Sequence, residues 1–94
     1  MMSQLPVNLD NVSNNYTDEE ILRAGIIAEL DAVNFYEQMA FYTTDEDIKK
    51  VLFDIAKEEK THIGEFQALL LKRDKEQVTE LEKGKKEVED LIGT

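Results

Sequence analysis

The sequence contains no cysteine and no tryptophan, and its single proline, Pro6, lies close to the first residue. Without cysteine the chain can form neither a disulfide bond nor a thiolate metal site, so any bound metal must have oxygen and nitrogen ligands. No run approaches the roughly 20 consecutive apolar residues of a membrane-spanning helix. Residues 1–15 also lack the basic start and apolar core of a signal peptide. We therefore expect a cytoplasmic protein without a membrane partner.

Basic residues are scarce. The 94 residues include 21 Asp and Glu but only 11 Lys and Arg, which gives a net charge of -10. A charge of this sign disfavours nucleic acids and anionic membranes as partners and favours cations. A single domain of this size buries only about 60–65% of the surface of its unfolded chain. We therefore expect it to need a ligand or a second subunit for stability.

The chain divides into an arm and a helical domain. Residues 1–16 contain Pro6, two serines and many asparagines, a composition typical of a disordered or extended arm. Residues 17–94 form one domain with helix-period apolar residues. No internal repeat is convincing.

Helix signals predict an antiparallel hairpin. The capping-box pattern Thr17-Asp18-Glu19-Glu20 places the start of a first helix near Asp18, and the apolar periodicity continues to about Tyr42. Thr44 is the predicted N-cap of a second helix that reaches about Lys72. A connection of roughly two residues forces these helices to lie antiparallel.

A shorter third helix is predicted after Asp74, which is a plausible N-cap. Gly84 lies in its interior and weakens it by about 1 kcal/mol relative to alanine. Its apolar residues at helical spacing are Val78, Leu81, Val88, Leu91 and Ile92. With so few apolar residues, we expect this helix to pack on a neighbouring subunit more than on its own hairpin.

Each long helix carries an apolar stripe that is interrupted by ionisable residues. The first stripe reads Leu22, Ile26, Glu29, Val33, Tyr36, Ala40, and the second reads Ile48, Leu52, Ile55, Glu59, His62, Phe66, Leu69. His62 is the single histidine of the chain. Carboxylates in a buried stripe are costly unless they are paired or bind a cation. We therefore interpret Glu29, Glu59 and His62 as metal ligands with a catalytic role.

The same stripes predict a dimer. A hairpin of two amphipathic helices leaves a broad apolar face uncovered, and two such hairpins packed face to face make an all-α, ferritin-like four-helix bundle. Di-iron carboxylate bundles use one Glu from each of two helices and a Glu-x-x-His pair from each of the other two. Glu29 and the Glu59/His62 pair are half of that set, so a dimer would share one site with two iron ions.

Carboxylate and imidazole ligands suit iron or manganese, and they predict a ferroxidase that oxidises Fe(II) to Fe(III) with dioxygen. Two alternatives remain open. The dimetal site could consume peroxide or hold manganese instead. Alternatively, Glu59 and His62 could be a polar pair that fixes helix register in an acidic assembly module without metal or enzymatic activity.

Two further residues lie near the predicted ligands. Tyr36 falls two turns after Glu29 on the same face, where it could hydrogen-bond to a ligand or act in redox chemistry. A core tyrosine with a satisfied hydroxyl group is an equally good interpretation. Asp31 flanks Glu29 and is interpreted either as a solvated side chain or as a guide for cations.

Two sequence blocks resemble the encapsulated ferritin family, the ferritin-like proteins of encapsulin nanocompartments. They are Ala28-Glu29-Leu30-Asp31-Ala32-Val33-Asn34-Phe35-Tyr36-Glu37-Gln38 and Ile55-Ala56-Lys57-Glu58-Glu59-Lys60-Thr61-His62-Ile63-Gly64-Glu65-Phe66. The resemblance extends over about residues 18–92. It implies a half-ferritin whose ferroxidase centre forms between two subunits, with Glu29, Glu59 and His62 as the iron ligands.

The resemblance also implies an assembly and a location. The expected oligomer is a decameric ring of five dimers, joined in part by the third helix and housed in an encapsulin nanocompartment, whose shell protein is the expected partner. Tyr36 matches a tyrosine near the family's centre. Asp31 matches part of an acidic metal-uptake cluster, but Ala28 supplies no carboxylate there. The final residues do not resemble a cargo targeting peptide, so we expect a domain cut from a shell fusion, a trimmed cargo protein or a free-standing chain.

Overall fold

A computed structural model describes residues 17–93, which form three helices: α1 (Thr17–Tyr42), α2 (Glu46–Arg73) and α3 (Lys75–Ile92). This confirms the predicted all-α class, with the helix limits correct to within about two residues. Within residues 17–93, no helix is long and apolar enough to cross a membrane. The expected N-terminal arm, residues 1–16, lies outside the described residues.

Helices α1 and α2 form the predicted antiparallel hairpin, and at 1.5 Å per residue they are about 39 and 42 Å long. Contacts at its two ends show this orientation. Near the connection, the rings of Phe41 and Phe53 pack edge to face with centroids 5.2 Å apart. At the other end, Arg73 Nη1 lies 3.2 Å from Asp18 Oδ2. The midpoints of α1 and α2 therefore lie side by side.

Small side chains dominate the surface at which α1 packs on α2. The buried apolar residues are Leu22, Ala24, Ala32, Val33, Ala40, Ala56 and Leu70. Because an alanine side chain is a single methyl group, the two helix axes can approach closely. None of the seven predicted stripe residues of α2 is buried in the single chain, and Ile48 and Leu69 are 53% and 51% exposed. The α2 stripe is therefore only partly covered by α1.

Asp45 caps α2, so the prediction of Thr44 as the N-cap was wrong. The Ile48 amide donates to Asp45 Oδ1 at 2.9 Å, and Asp45 has extended backbone angles of φ -84° and ψ 120°. The Asp45 amide in turn donates to Thr43 Oγ1 at 3.2 Å. The Thr43 side chain therefore stabilises the turn, whereas the Asp45 carboxylate accepts from the third amide of α2. The connection has three residues, 43–45.

Asp74 alone separates α2 from α3 and terminates both. Its amide donates to the Leu70 carbonyl at 2.9 Å, whereas its Oδ1 accepts from the Gln77 amide at 3.0 Å. Its Oδ2 lies 3.6 Å from Arg23 Nη2 of α1. With this turn α3 leaves the axis of the hairpin, and the molecule measures 46 × 44 × 19 Å. The predicted cap at Asp74 is confirmed.

We expect Asp74→Ala to lower the free energy of unfolding by about 1 kcal/mol, because the first turn of α3 loses its side-chain acceptor. Asp74→Asn should lose much less, since asparagine also caps helices and only the partly exposed pair with Arg23 is removed. Urea denaturation followed by circular dichroism measures both. Equal losses in the two variants would assign the effect to the Arg23 pair and contradict the capping role.

Helix α3 packs little against the hairpin. None of its residues is buried, and it continues through Gly84 without interruption. Its exposed apolar residues are Val78, Leu81, Val88, Leu91 and Ile92. The helix ends at Gly93, whose φ of 82° is left-handed and whose amide donates to the Glu89 carbonyl at 2.8 Å. The packing of α3 on a neighbouring subunit stays a prediction.

Candidate metal centre

The hairpin brings the three predicted ligands together at the middle of α1 and α2. Glu59 and His62 are three residues apart, which places both on one face of α2, and Glu29 faces them from α1. His62 Nδ1 lies 3.4 Å from Glu29 Oε2 and 3.4 Å from Glu59 Oε2. One potential ligand atom from each residue lies within 4.8 Å of those of the other two. A single cation could therefore contact all three.

One oxygen of this cluster is buried without a hydrogen bond. The side chains of Glu29 and Glu59 are each 19% exposed and that of His62 is 44% exposed. Glu29 Oε2 is buried and accepts no hydrogen bond, although His62 lies nearby. Such an oxygen is costly when the carboxylate is ionised. A bound cation would remove that cost, so the residues present fit a metal ion.

The two carboxyl groups perturb one another. The pKa of Glu29 is raised above its ordinary value because its protonated carboxyl group can share a hydrogen bond with Glu59. Burial and the charge of Glu59 act in the same direction, whereas His62 opposes them. For His62, burial lowers the pKa, but interactions with Glu59 and Glu29 outweigh this effect and leave the pKa of His62 raised. Without a bound cation, the cluster therefore favours bound protons, which a divalent cation could replace.

Without metal, the protein should lose stability as the pH rises. Both pKa values are raised on folding, so the folded chain retains protons that the unfolded chain has released. This stabilisation is complete below the unfolded values, 4.5 for Glu29 and 6.5 for His62, and it is lost as the pH rises through the folded values. In the presence of a chelator, the melting temperature of Glu29→Gln should fall less with rising pH than that of wild type, from pH 4.5 upward. Parallel pH profiles would contradict this.

The donor set limits which metals suit the cluster. Two carboxylates and one imidazole are ligands typical of iron, manganese and open zinc sites, whereas structural zinc sites usually contain thiolates. Within residues 17–93, Glu29, Glu59 and His62 form the group of His, Asp and Glu side chains that lie close enough together to hold one ion. The cluster is a candidate site for a divalent metal ion.

The other two residues singled out from the sequence lie outside this cluster. Tyr36 is partly buried, and its ring packs against Phe35 with centroids 5.3 Å apart. Asp31 is also partly buried and is not among the potential ligands. A redox role for Tyr36 and a metal-uptake role for Asp31 therefore stay predictions.

Sequence reasoning missed two contacts between α1 and α2 on either side of the cluster. Lys60 Nζ lies 3.1 Å from Glu37 Oε2. On the other side, the Phe66 ring lies against the backbone of Gly25. The signal for the second contact was a glycine within an otherwise strong helical pattern, which often marks a close approach.

Comparisons of sequence identify relatives of this chain. Residues 4–85 match the EncFtn-like family model. The chain is 56% identical over 95 aligned residues to the ferritin-like-encapsulin shell fusion protein of Pyrococcus furiosus, covering 98% of this chain but only 28% of that protein. It is 38% identical over 69 residues to the encapsulin nanocompartment cargo protein EncC of Myxococcus xanthus, covering 70% of this chain and 53% of the cargo protein.

A comparison of structures agrees with the comparisons of sequence. The structure superposes on the crystal structure of the encapsulated ferritin domain from Pyrococcus furiosus with a TM-score of 0.84 and 52% sequence identity. That superposition covers 100% of this chain and 96% of the crystallised domain. Since the family match also extends over most of the sequence, the chain belongs to the EncFtn-like family.

Proposed function

We propose that this protein is a ferroxidase that oxidises Fe(II) to Fe(III) with dioxygen at a di-iron centre formed between two subunits. The convergence of Glu29, Glu59 and His62 carries the proposal. Iron is the substrate here. Two Fe(II) ions supply two electrons, which with two protons reduce dioxygen to hydrogen peroxide. Two further Fe(II) ions and two further protons would reduce the peroxide to water.

A second copy of the chain would complete the centre. The stripe of α2 that contains Glu59 and His62 is only partly covered in the single chain, and His62 is nearly half exposed. Two copies packed on this stripe would contribute four carboxylates and two imidazoles. The four negative charges would balance two divalent cations and leave coordination positions open for dioxygen, as catalytic metal sites require.

The three ligands come from two helices in this arrangement. Glu59 and His62 project from one face of α2 and Glu29 faces them from α1, so together they would hold the iron ions. The oxygen of Glu29 that lacks a hydrogen bond is available as a ligand. Binding of Fe(II) would displace the protons that the raised pKa values of Glu29 and His62 favour.

The relatives support a cellular setting. One is a ferritin-like domain fused to an encapsulin shell and another is an encapsulin cargo protein. We propose that this chain likewise works inside a cytoplasmic encapsulin nanocompartment, where the oxidised iron would be stored. A ring of five dimers is the assembly that the family resemblance implies.

Metal analysis combined with native mass spectrometry tests the proposed centre. After anaerobic loading with Fe(II), the dimer should contain about two iron ions, as the paired ligand sets require. A metal-free dimer of unchanged stability would instead support the non-enzymatic assembly module. Comparing loading with manganese, and comparing oxidation of bound iron by dioxygen and by peroxide, would separate the other enzymatic alternatives.

A further inference from the structure

Gly25 and Phe66 make a contact that leaves no room for a side chain on α1. A Cβ atom placed on Gly25 would lie 2.9 Å from Phe66 Cε1 and 3.0 Å from both Cδ1 and Cζ. Cβ atoms in proteins essentially never approach other atoms more closely than 3.0 Å. One edge of the Phe66 ring therefore occupies the space that any other residue at position 25 would need.

This contact lies directly beside the candidate metal centre. Gly25 precedes Glu29 by four residues on α1, and Phe66 follows His62 by four residues on α2. Residues four apart are neighbours on one helix face, about 6 Å apart along the axis. Because the helices are antiparallel, the step from Glu29 back to Gly25 and the step from His62 forward to Phe66 run in the same direction in space. Gly25 and Phe66 therefore lie together on one side of the metal ligands.

We propose that the Gly25–Phe66 contact is a positioning element for the metal centre, and this inference depends on the function proposed above. The contact sets the separation of α1 and α2 at which Glu29 meets the Glu59/His62 pair. A flat, stiff ring against bare backbone fixes this separation within narrow limits. Metal ligands need such a limit, because coordination distances vary by only a few tenths of an ångström.

The contact on the other side of the centre is less able to set this separation. The Glu37–Lys60 pair joins long, flexible side chains, of which Lys60 is 59% exposed. Exposed pairs of this kind are screened by salt and tolerate changes in helix spacing. The position of Glu29 relative to Glu59 and His62 therefore depends on the Gly25–Phe66 contact on one side of the centre and on the buried Ala32 and Ala56 on the other.

Titration with Co(II) tests the proposal without any oxidation step. Cobalt stays divalent in air, and its visible absorption reports coordination geometry. We expect Gly25→Ala to weaken Co(II) binding by about 10–100-fold, the range found when groups that orient metal ligands are changed. Phe66→Leu should also weaken binding and shift the absorption band. The double variant, with a larger residue at 25 and a smaller one at 66, should recover much of the affinity.

Gly64→Ala is the matched control. Gly64 lies two residues from His62 on the opposite side of α2, and a Cβ there meets nothing within 4 Å. This variant should bind Co(II) as wild type does. If Gly25→Ala fails to fold by circular dichroism, Phe66→Leu decides the outcome by the same titration. Wild-type affinity and spectrum in the folded single variants would overturn this inference alone, whereas a wild-type protein without Co(II) binding would overturn the proposed centre as well.

Discussion

Glu59→Ala and His62→Ala should each lower the initial rate of Fe(II) oxidation by more than about 100-fold. Groups that merely orient a metal ligand are worth about 10–100-fold in metal affinity or activity, so removal of the ligand itself should cost more. Each substitution would remove two of the six protein ligands of the dimer, because both subunits carry the change. Stopped-flow absorbance of the ferric product measures the rate. Glu80→Ala removes an exposed carboxylate of α3 and should retain wild-type activity.

Stability of the metal-free variants separates this role from a purely structural one. If the carboxylates are placed for a cation, Glu29→Gln should unfold at a higher urea concentration than wild type in the presence of a chelator. The reason is that it removes a charged group that is costly when no cation is bound. A Glu59–His62 pair that fixes helix register would instead be stabilising, so Glu59→Gln should then be destabilising under the same conditions. Unchanged oxidation rates in folded, dimeric ligand variants would contradict the proposed centre.

The hairpin was predictable because local signals agreed with one another. Periodicity over more than 20 residues defined α1 and α2, and Asp74 had both the position and the side chain of a cap. The prediction of Thr44 as the N-cap was wrong because Thr43, Thr44 and Asp45 can all cap a helix. Which of them does so depends on the backbone angles of the turn, and sequence alone does not fix these angles.

The candidate site was predictable for a different reason. Ionisable residues at stripe positions are rare, so Glu29, Glu59 and His62 stood out in the pattern. The contact between Gly25 and Phe66 was not predictable from the sequence, because it depends on which residues of the two helices face each other. Helical periodicity gives the face of each residue but not the relative translation of two helices along their axes. That translation is a property of the packed hairpin.

Metal should stabilise the assembled protein strongly. A cation that binds the folded dimer and not the unfolded chain adds about 2.7 kcal/mol at a free concentration of 100 times Kd. For a folding unit the size of this dimer, that corresponds to a rise of about 5–10 °C in melting temperature for each bound ion. Differential scanning calorimetry with and without Fe(II), under anaerobic conditions, measures the change. A chelator should reverse it.

The same experiment on His62→Ala separates specific binding from general screening of the charge of -10. Screening by divalent cations would raise the melting temperatures of wild type and variant alike, because most of the acidic residues lie outside the cluster. Binding at the cluster would raise the melting temperature of wild type only.

Protein concentration adds a further test, since a site shared by two subunits makes metal binding and dimerisation stabilise each other. Metal should therefore lower the concentration at which dimers form, and equal dimerisation with and without Fe(II) would contradict a shared centre.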